Sequence, residues 1–153
     1  LYENNTDDYR YLYLFTSGIG ANSDRRYLGK YNTPSTSDSY YTNKMVMIKL
    51  SEMYYIVAEQ MLSSDPDAAT IWYDRAVASR GLDSLAENGN TVSADILYRE
   101  RRKEFWGEGL HWHDMKRLGK DIQADAGTLL PGNDPATYTI PLPTAEESHR
   151  EED

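Results

Sequence analysis

Cysteine is absent from this 153-residue chain. Its absence excludes disulfide bonds, thiolate catalysis and zinc sites built on cysteine. Long apolar runs are missing as well, since no stretch approaches the roughly 20 residues of a membrane-spanning helix. The first residues have neither the basic nor the apolar region of a signal peptide. The sequence therefore predicts a chain without covalent cross-links or a membrane-spanning segment.

An excess of positive charge is also missing. The formal net charge is -9, and the Lys and Arg residues are dispersed. A phosphate backbone needs a basic patch, so we expect no nucleic acid partner.

Phenylalanine is scarce, with two residues against thirteen tyrosines. Tyrosine combines an apolar ring with a hydrogen-bonding hydroxyl, so this excess predicts wet aromatic surfaces or interfaces.

Residues 45–81 have the periodicity of an α-helical hairpin. Apolar residues recur at spacings of three and four from Met45 to Leu62, on a face that includes Val46, Leu50, Met53 or Tyr54, Val57 and Met61. Asp65 is a predicted helix cap, because Pro66 follows it and favours a first helical turn. The second helix is predicted to bury Ala69, Trp72, Ala76 and Val77 and to end at Gly81. Two helices joined by a short turn lie antiparallel, as in a tetratricopeptide-like repeat.

The rest of the chain is predicted to surround this hairpin within one domain, residues 1–153. Residues 1–44 are expected to form an extended or looped arm, because aromatic residues alternate as in a strand at Tyr9, Tyr11, Tyr13 and Phe15. Thr91 or Ser93 is predicted to cap the first of two charged helices within residues 91–119. Prolines and glycines make residues 120–153 an irregular tail. The predicted fold is all-α, with the hairpin, additional helices and long irregular loops.

The two charged helices are predicted to meet at a corner, because the step from Gly107 to Gly109 favours a change of direction. Trp112, Met115 and Leu118 recur on one side of the second helix before Gly119 ends it. We expect an ion-pair corner in which Arg101 or Arg102 reaches Glu108 or Asp114. The residues assigned to that corner are Arg101, Arg102, Glu108, Asp114 and Arg117. The alternative is a solvated charged face.

The pattern of residues 100–119 resembles the signature near the C-terminus of the SusD/RagB family. It consists of Glu100-Arg101-Arg102, Glu104, Glu108-Gly109, Trp112, Asp114 and Arg117-Leu118-Gly119. Three further segments resemble that family in the same order, namely Asp24-Arg25 with Lys30-Tyr31, Lys49 to Tyr54 with Ala58-Glu59, and Ala76 to Leu82. Ile140-Pro141-Leu142-Pro143 resembles its ending. The resemblance covers nearly all of this chain but only the C-terminal part of the family's architecture.

The resemblance implies a function. SusD/RagB proteins are outer-membrane lipoproteins of Bacteroidetes that bind glycans or other nutrients and deliver them to a TonB-dependent SusC-like transporter. We therefore expect oligosaccharide or polysaccharide and that transporter as partners, a surface-exposed location, and no enzymatic activity. The chain begins at Leu1, and we expect a missing N-terminal part to carry the lipid anchor. The matched motif residues are expected to be architectural.

Tyrosines in polar, irregular segments are the sequence candidates for a sugar platform, because a pyranose face stacks on an aromatic ring. These candidates are Tyr27, Tyr31, Tyr40 and Tyr41. The alternative is that the rings pack the loop onto the helices, which is the more common role of aromatic residues. A second alternative for the whole chain is a protein-interaction scaffold with no sugar contact of its own.

Metal binding and glycoside hydrolysis are the chemical alternatives to sugar binding. His111, His113, Asp114 and Glu108 include metal-ligand types, but His111 and His113 would point to nearly opposite sides of a helix. We therefore expect no metal and no cofactor. Glycoside hydrolysis needs two carboxylates roughly 5 to 10 Å apart beside a cleft. No spacing in this sequence identifies such a pair, so hydrolysis stays an alternative that we do not favour.

Overall fold

The computed structural model describes residues 2, 7–30, 46–124, 127–141 and 143. In these residues the α-helices are α1 (Tyr9–Tyr13), α2 (Leu50–Met61), α3 (Pro66–Ala78), α4 (Ala94–Glu104) and α5 (Leu110–Arg117). Strand β1 (Phe15–Ser17) pairs antiparallel with β2 (Arg26–Leu28), and β3 (Ile122–Gln123) pairs antiparallel with β4 (Leu129–Leu130). The described chain is therefore mostly helical with two small strand pairs. It divides into two units, Leu1–Gly107 and Glu108–Asp153.

The starts of α3 and α4 are where the sequence predicts them. The Asp65 side chain accepts a hydrogen bond from the Ala68 amide at 2.9 Å, and Pro66 is the first helical residue. Ser93 accepts one from the Ile96 amide at 3.2 Å. Both side chains satisfy an amide that has no partner within the helix. Beyond α3, Gly81 has a φ of 76°, which a residue with a side chain rarely adopts.

Helix α2 differs from its prediction in its start and in its buried face. It begins at Leu50, residues 46–49 are not helical, and Met45 lies outside the described residues. Its buried residues are Ser51, Tyr55 and Ala58, whereas Leu50 is 65% exposed. The predicted face is therefore wrong by about one position. The face differs because Ser51 donates a hydrogen bond to the buried Glu104 carboxylate and the Tyr55 ring packs against the Phe105 ring.

Helices α2 and α3 pack against each other and supply much of the core of the first unit. The Tyr55 ring lies 6.5 Å from the Tyr73 ring and meets Phe105 edge-on at 6.2 Å. Thr70 ties α3 to the segment before α4, because its hydroxyl accepts a hydrogen bond from the Val92 amide at 2.9 Å. The helix pair is present as predicted. Its similarity to a tetratricopeptide repeat stays a prediction.

The N-terminal segment corrects the expectation of an extended arm. Residues Tyr9–Tyr13 form a short helix, and strand geometry begins only at Phe15. Asp8 caps this helix by accepting a hydrogen bond from the Arg10 amide at 3.0 Å. A helical turn buries Arg10 and leaves Tyr9 and Tyr13 exposed on its outer side. The alternation of aromatic residues was misleading because the buried residue of this segment is charged.

The second unit contains α5, the β3–β4 pair and a 3₁₀ turn over Pro135–Tyr138. Gly107, Gly109 and Gly119 all have positive φ, as expected at the ends of α5. Trp112 of α5 meets the Tyr138 ring edge-on at 5.2 Å, and the Tyr138 hydroxyl donates to the Lys120 carbonyl. Within the described ranges, no helix combines the length and apolar character that crossing a bilayer requires.

Candidate functional site

A cluster of buried ionised side chains lies between α1, the end of α3 and α4. We call Asp8, Arg10, Arg80, Glu100 and Glu104 the buried ion cluster. Arg10 donates to Asp8 at 2.8 and 2.9 Å, to Glu104 at 3.1 Å, and to Glu100 through a short contact. Arg80 binds Glu104 at two points, with Nε donating to Oε2 at 2.9 Å and Nη2 donating to Oε1. These contacts join three segments far apart in the sequence.

The electrostatics of this cluster keep Glu104 ionised. Burial alone would raise the pKa of its carboxyl group, but hydrogen bonds from Arg80 and Ser51 and the positive charges of Arg80 and Arg10 lower the pKa from 4.5 to about 2. Burial opposes the charge of Arg10 too, yet hydrogen bonding to Asp8 and the charge of Glu100 raise its pKa above the ordinary value. Arg10 and Glu104 are therefore both charged at neutral pH.

Two pockets open beside the buried ion cluster, entirely within the first unit. The first has a volume of about 300 Å³, and its lining includes Tyr9, Tyr13, Lys30, Lys49, Arg80 and Glu104. The second has a volume of about 450 Å³, and its lining includes Ile48, Lys49, Tyr54, Arg75, Ser79 and Arg80. Lys49, Ser79 and Arg80 line both pockets. We call them the paired pockets.

The rings at the first pocket are accessible from solvent. Tyr9 is 51% exposed and Tyr13 is 77% exposed, and their ring centroids lie 6.2 Å apart. They are four positions apart in α1, so the helix places both on one side. Exposed aromatic faces beside hydrogen-bonding and charged groups are suited to a polyhydroxylated ligand, whose C–H face stacks on a ring while its hydroxyl groups bind polar side chains.

The tyrosines predicted from the sequence are not the ones that line these pockets. Tyr27 is exposed on β2, opposite Thr16 of β1, and is absent from the lining of both pockets. Tyr31, Tyr40 and Tyr41 lie outside the described residues. Their role as a sugar platform stays a prediction. Sequence reasoning missed Tyr9 and Tyr13, although the capping residue Asp8 and the four-residue spacing of the two rings were available signals.

The predicted ion-pair corner is described only in part. In the second unit Asp114 is buried and accepts a hydrogen bond from Arg117 Nε at 2.8 Å. In the first unit Arg101 is buried with its guanidinium carbon 5.3 Å from the Phe105 ring centroid, and that of Arg102 lies 5.8 Å from the Trp106 centroid. The pairing of Arg101 or Arg102 with Glu108 or Asp114 joins the two units and stays a prediction.

The part of the chain that the structure describes contains no cluster of potential metal ligands. No group of three or more histidine, aspartate or glutamate side chains is arranged there to hold a metal ion. The groups that stand out in the first unit are instead the exposed rings and charged side chains of the paired pockets. Groups of these types are suited to contacting a ligand.

Comparison with protein-family models identifies the class of protein. The model of the SusD family matches residues 2–150, nearly the whole chain. The chain belongs to the SusD family. This family comprises carbohydrate-binding, non-catalytic lipoproteins that are associated with the outer membrane. Comparisons with curated proteins and with solved structures gave no match.

Proposed function

We propose that this chain binds oligosaccharide in the paired pockets and belongs to a surface lipoprotein that delivers the glycan to a TonB-dependent SusC-like transporter. Membership of the SusD family is the observation that carries the proposal. Members of this family bind glycans and work with such transporters. In this proposal the chain has no catalytic role.

The paired pockets support a sugar contact in this chain. Tyr9 and Tyr13 offer accessible rings, and Arg80, Lys30 and Lys49 offer hydrogen-bond donors beside them. The buried ion cluster fixes part of the lining of the first pocket, because Arg10 and Glu104 belong to both. A lining fixed before the ligand arrives reduces the entropy lost on binding.

Isothermal titration of the chain against a panel of soluble oligosaccharides and polysaccharides tests the proposal. We expect binding to at least one glycan, and loss of most of that affinity in a Tyr9→Ala/Tyr13→Ala variant. Tyr40→Ala and Tyr41→Ala are the matched variants, since each removes a tyrosine ring outside the described residues. If these two changes abolish binding while the Tyr9/Tyr13 variant binds normally, the sugar lies on the loop predicted from sequence. If no glycan binds to folded chain, the proposed sugar contact is wrong.

A protein-interaction scaffold is the second candidate function, and exposed apolar residues before α2 and at its first position favour it. Val46, Met47, Ile48 and Leu50 are all exposed in the described part of the chain. Exposed apolar groups of this kind are common at protein contacts. Replacing Met47 with Ser should weaken co-purification with the transporter under this candidate. Glycan affinity should not change, because Met47 does not line either pocket.

A further inference from the structure

The two exposed rings of the first pocket lie on a helix that is too short to be stable by itself. Helix α1 has five residues, Tyr9–Tyr13, and carries both rings. Starting a helix costs more free energy than its first hydrogen bonds return, so isolated helices shorter than roughly 12 residues are marginal in water. The conformation of α1, and with it the spacing of the Tyr9 and Tyr13 rings, therefore depends on contacts from outside the helix.

Asp8 makes three of these contacts with one carboxylate. Its Oδ1 accepts hydrogen bonds from the Arg10 backbone amide at 3.0 Å and from Arg10 Nε at 2.9 Å, and its Oδ2 accepts one from Nη2 at 2.8 Å. The first bond caps the helix, and the other two form a two-point guanidinium–carboxylate pair. Asp8 therefore fixes the first turn of α1 and the orientation of the Arg10 side chain together.

Arg10 connects this first turn to helix α4. Its Nη1 donates to Glu104 at 3.1 Å, and its Nη2 also donates to Glu100. The Arg10 side chain is only 4% exposed. A buried guanidinium keeps one orientation, because leaving a buried charge without its partner costs much free energy. The backbone of α1 is therefore held against α4 through the residue that follows Tyr9 in the sequence.

The first turn of α1 is also where the first pocket is lined. The Tyr9 amide donates to the Arg80 carbonyl at 2.9 Å, and Tyr9, Arg10, Tyr13 and Arg80 all line this pocket. Asp8 is fully buried and does not line either pocket. A ligand in the pocket would therefore contact the rings but not the carboxylate that fixes their helix.

We propose that Asp8 is a positioning residue of the glycan site, which acts through Arg10 and the backbone of α1 to hold the Tyr9 and Tyr13 rings where a sugar meets them. The inference rests on the proposed function and adds a residue that does not itself touch the ligand. Rings that are fixed before binding lose less entropy when the ligand arrives. Ordering one flexible side chain on binding lowers affinity by a factor of roughly 2 to 10.

Asp8→Asn and Asp8→Ala are the test variants. The asparagine side chain retains Oδ1, which accepts the two bonds from the Arg10 amide and Nε, but it places an amide donor against Nη2. Alanine removes all three bonds. The full 153-residue chain is titrated with a glycan panel that includes maltohexaose, xylohexaose and tetragalacturonate. Affinity for the tightest-binding probe should fall by about three- to tenfold in Asp8→Asn, and further in Asp8→Ala.

Hydrogen exchange in the ligand-free chain gives a readout that is specific to α1. The Leu12 amide donates to the Asp8 carbonyl at 3.3 Å, and the Leu14 amide donates to the Arg10 carbonyl at 2.9 Å. Both amides should exchange faster in Asp8→Asn than in wild type, by a larger factor than the amides of α2 and α3. Exchange reports local opening separately from global unfolding, so this difference identifies a loosened α1.

Thr70→Val is the control for loss of stability. Thr70 is 1% exposed, does not line either pocket, and bonds through its hydroxyl to the Pro66 carbonyl and the Val92 amide. Loss of this buried hydroxyl destabilises the chain because the Val92 amide loses its acceptor. The substitution leaves the contacts of Asp8 and Arg10 in place, so glycan affinity should stay within about twofold of wild type.

Four results would overturn the inference, and they differ in what they leave of the proposed function. Unchanged affinity in Asp8→Asn would leave the chain a glycan binder with no positioning role for Asp8, and this variant decides the result if Asp8→Ala does not fold. Equal weakening by Thr70→Val would attribute the loss to general destabilisation. Weaker binding without faster exchange of the Leu12 and Leu14 amides would show that Asp8 does not act through α1. Failure of the folded wild-type chain to bind any glycan of the panel would overturn the inference and the proposed sugar contact together.

Discussion

Arg80 and Glu104 form a two-point ion pair in which Nε donates to Oε2 at 2.9 Å and Nη2 donates to Oε1. Arg80 follows α3, and Glu104 is the last residue of α4. The same carboxylate accepts hydrogen bonds from Arg10 of α1 and Ser51 of α2. One buried glutamate therefore joins four segments of the first unit.

Replacing Glu104 with Gln should destabilise the chain by about 3 to 5 kcal/mol, because Arg10 would lose one of its buried anionic partners and Arg80 its carboxylate. Urea unfolding at neutral pH measures the change in the free energy of unfolding. Glu87→Gln is the matched control, since Glu87 is exposed in a loop, and it should change stability by less than about 0.5 kcal/mol. Equal effects of the two substitutions would show that the cluster adds little to stability.

The contribution of Glu104 to the free energy of unfolding should decrease as the pH falls. Its pKa is lowered from 4.5 to about 2 in the folded chain. Between these two values the unfolded chain binds more protons than the folded chain, so stability falls as pH falls. The stabilisation is fully present above about pH 4.5 and is lost as the pH approaches 2. The difference in unfolding free energy between wild type and Glu104→Gln should therefore shrink from pH 6 to pH 3. A difference independent of pH would contradict this assignment.

Substituting Gly81 should disturb the packing of Asp7 and Tyr9 against the end of α3. Its φ is 76°, and an added Cβ would lie 2.6 Å from the Asp7 carbonyl oxygen and 2.7 Å from the Tyr9 ring. Gly89 has a similar φ of 69° with nothing within 4 Å of an added Cβ. Gly89→Ala should therefore cost about 1 to 2 kcal/mol, from backbone conformation alone. Gly81→Ala should cost clearly more in the same denaturation experiment, and equal costs would show that the clash is relieved easily.

Trp112→Ala should destabilise the second unit by less than the loss of a fully buried tryptophan would. Trp112 is 41% exposed and contacts Tyr138 edge-on. Loss of that ring pair and part of its apolar contact should cost about 1 to 2 kcal/mol. The sequence alone permitted a fully buried ring, for which about 3 to 5 kcal/mol is expected. Thermal unfolding of the variant distinguishes the two values, and a loss above 3 kcal/mol would contradict a half-exposed Trp112.

The sequence predicted elements that local chemistry defines. Asp65 with Pro66 and Ser93 with its following apolar positions locate the starts of α3 and α4, because capping depends on residues within one turn. The buried faces of α1 and α2 were not predicted, since they depend on Arg10 and Ser51 meeting Glu104 from distant parts of the chain. The spacing of Tyr9 and Tyr13 was a signal for one helical face, but their position beside Lys30, Lys49 and Arg80 is apparent only in three dimensions.

Mapping of amide chemical shifts during titration with the tightest-binding oligosaccharide is the most direct test of a sugar site in the paired pockets. Binding there should shift amides within residues 9–14, 49–54 and 75–80, the segments that contain most of the pocket-lining residues. The same titration of Tyr13→Ala, which removes a ring that is 77% exposed, should give much smaller shifts at equal ligand concentration. Shifts confined to residues 26–28 or 108–141, and unchanged in Tyr13→Ala, would contradict the proposed site.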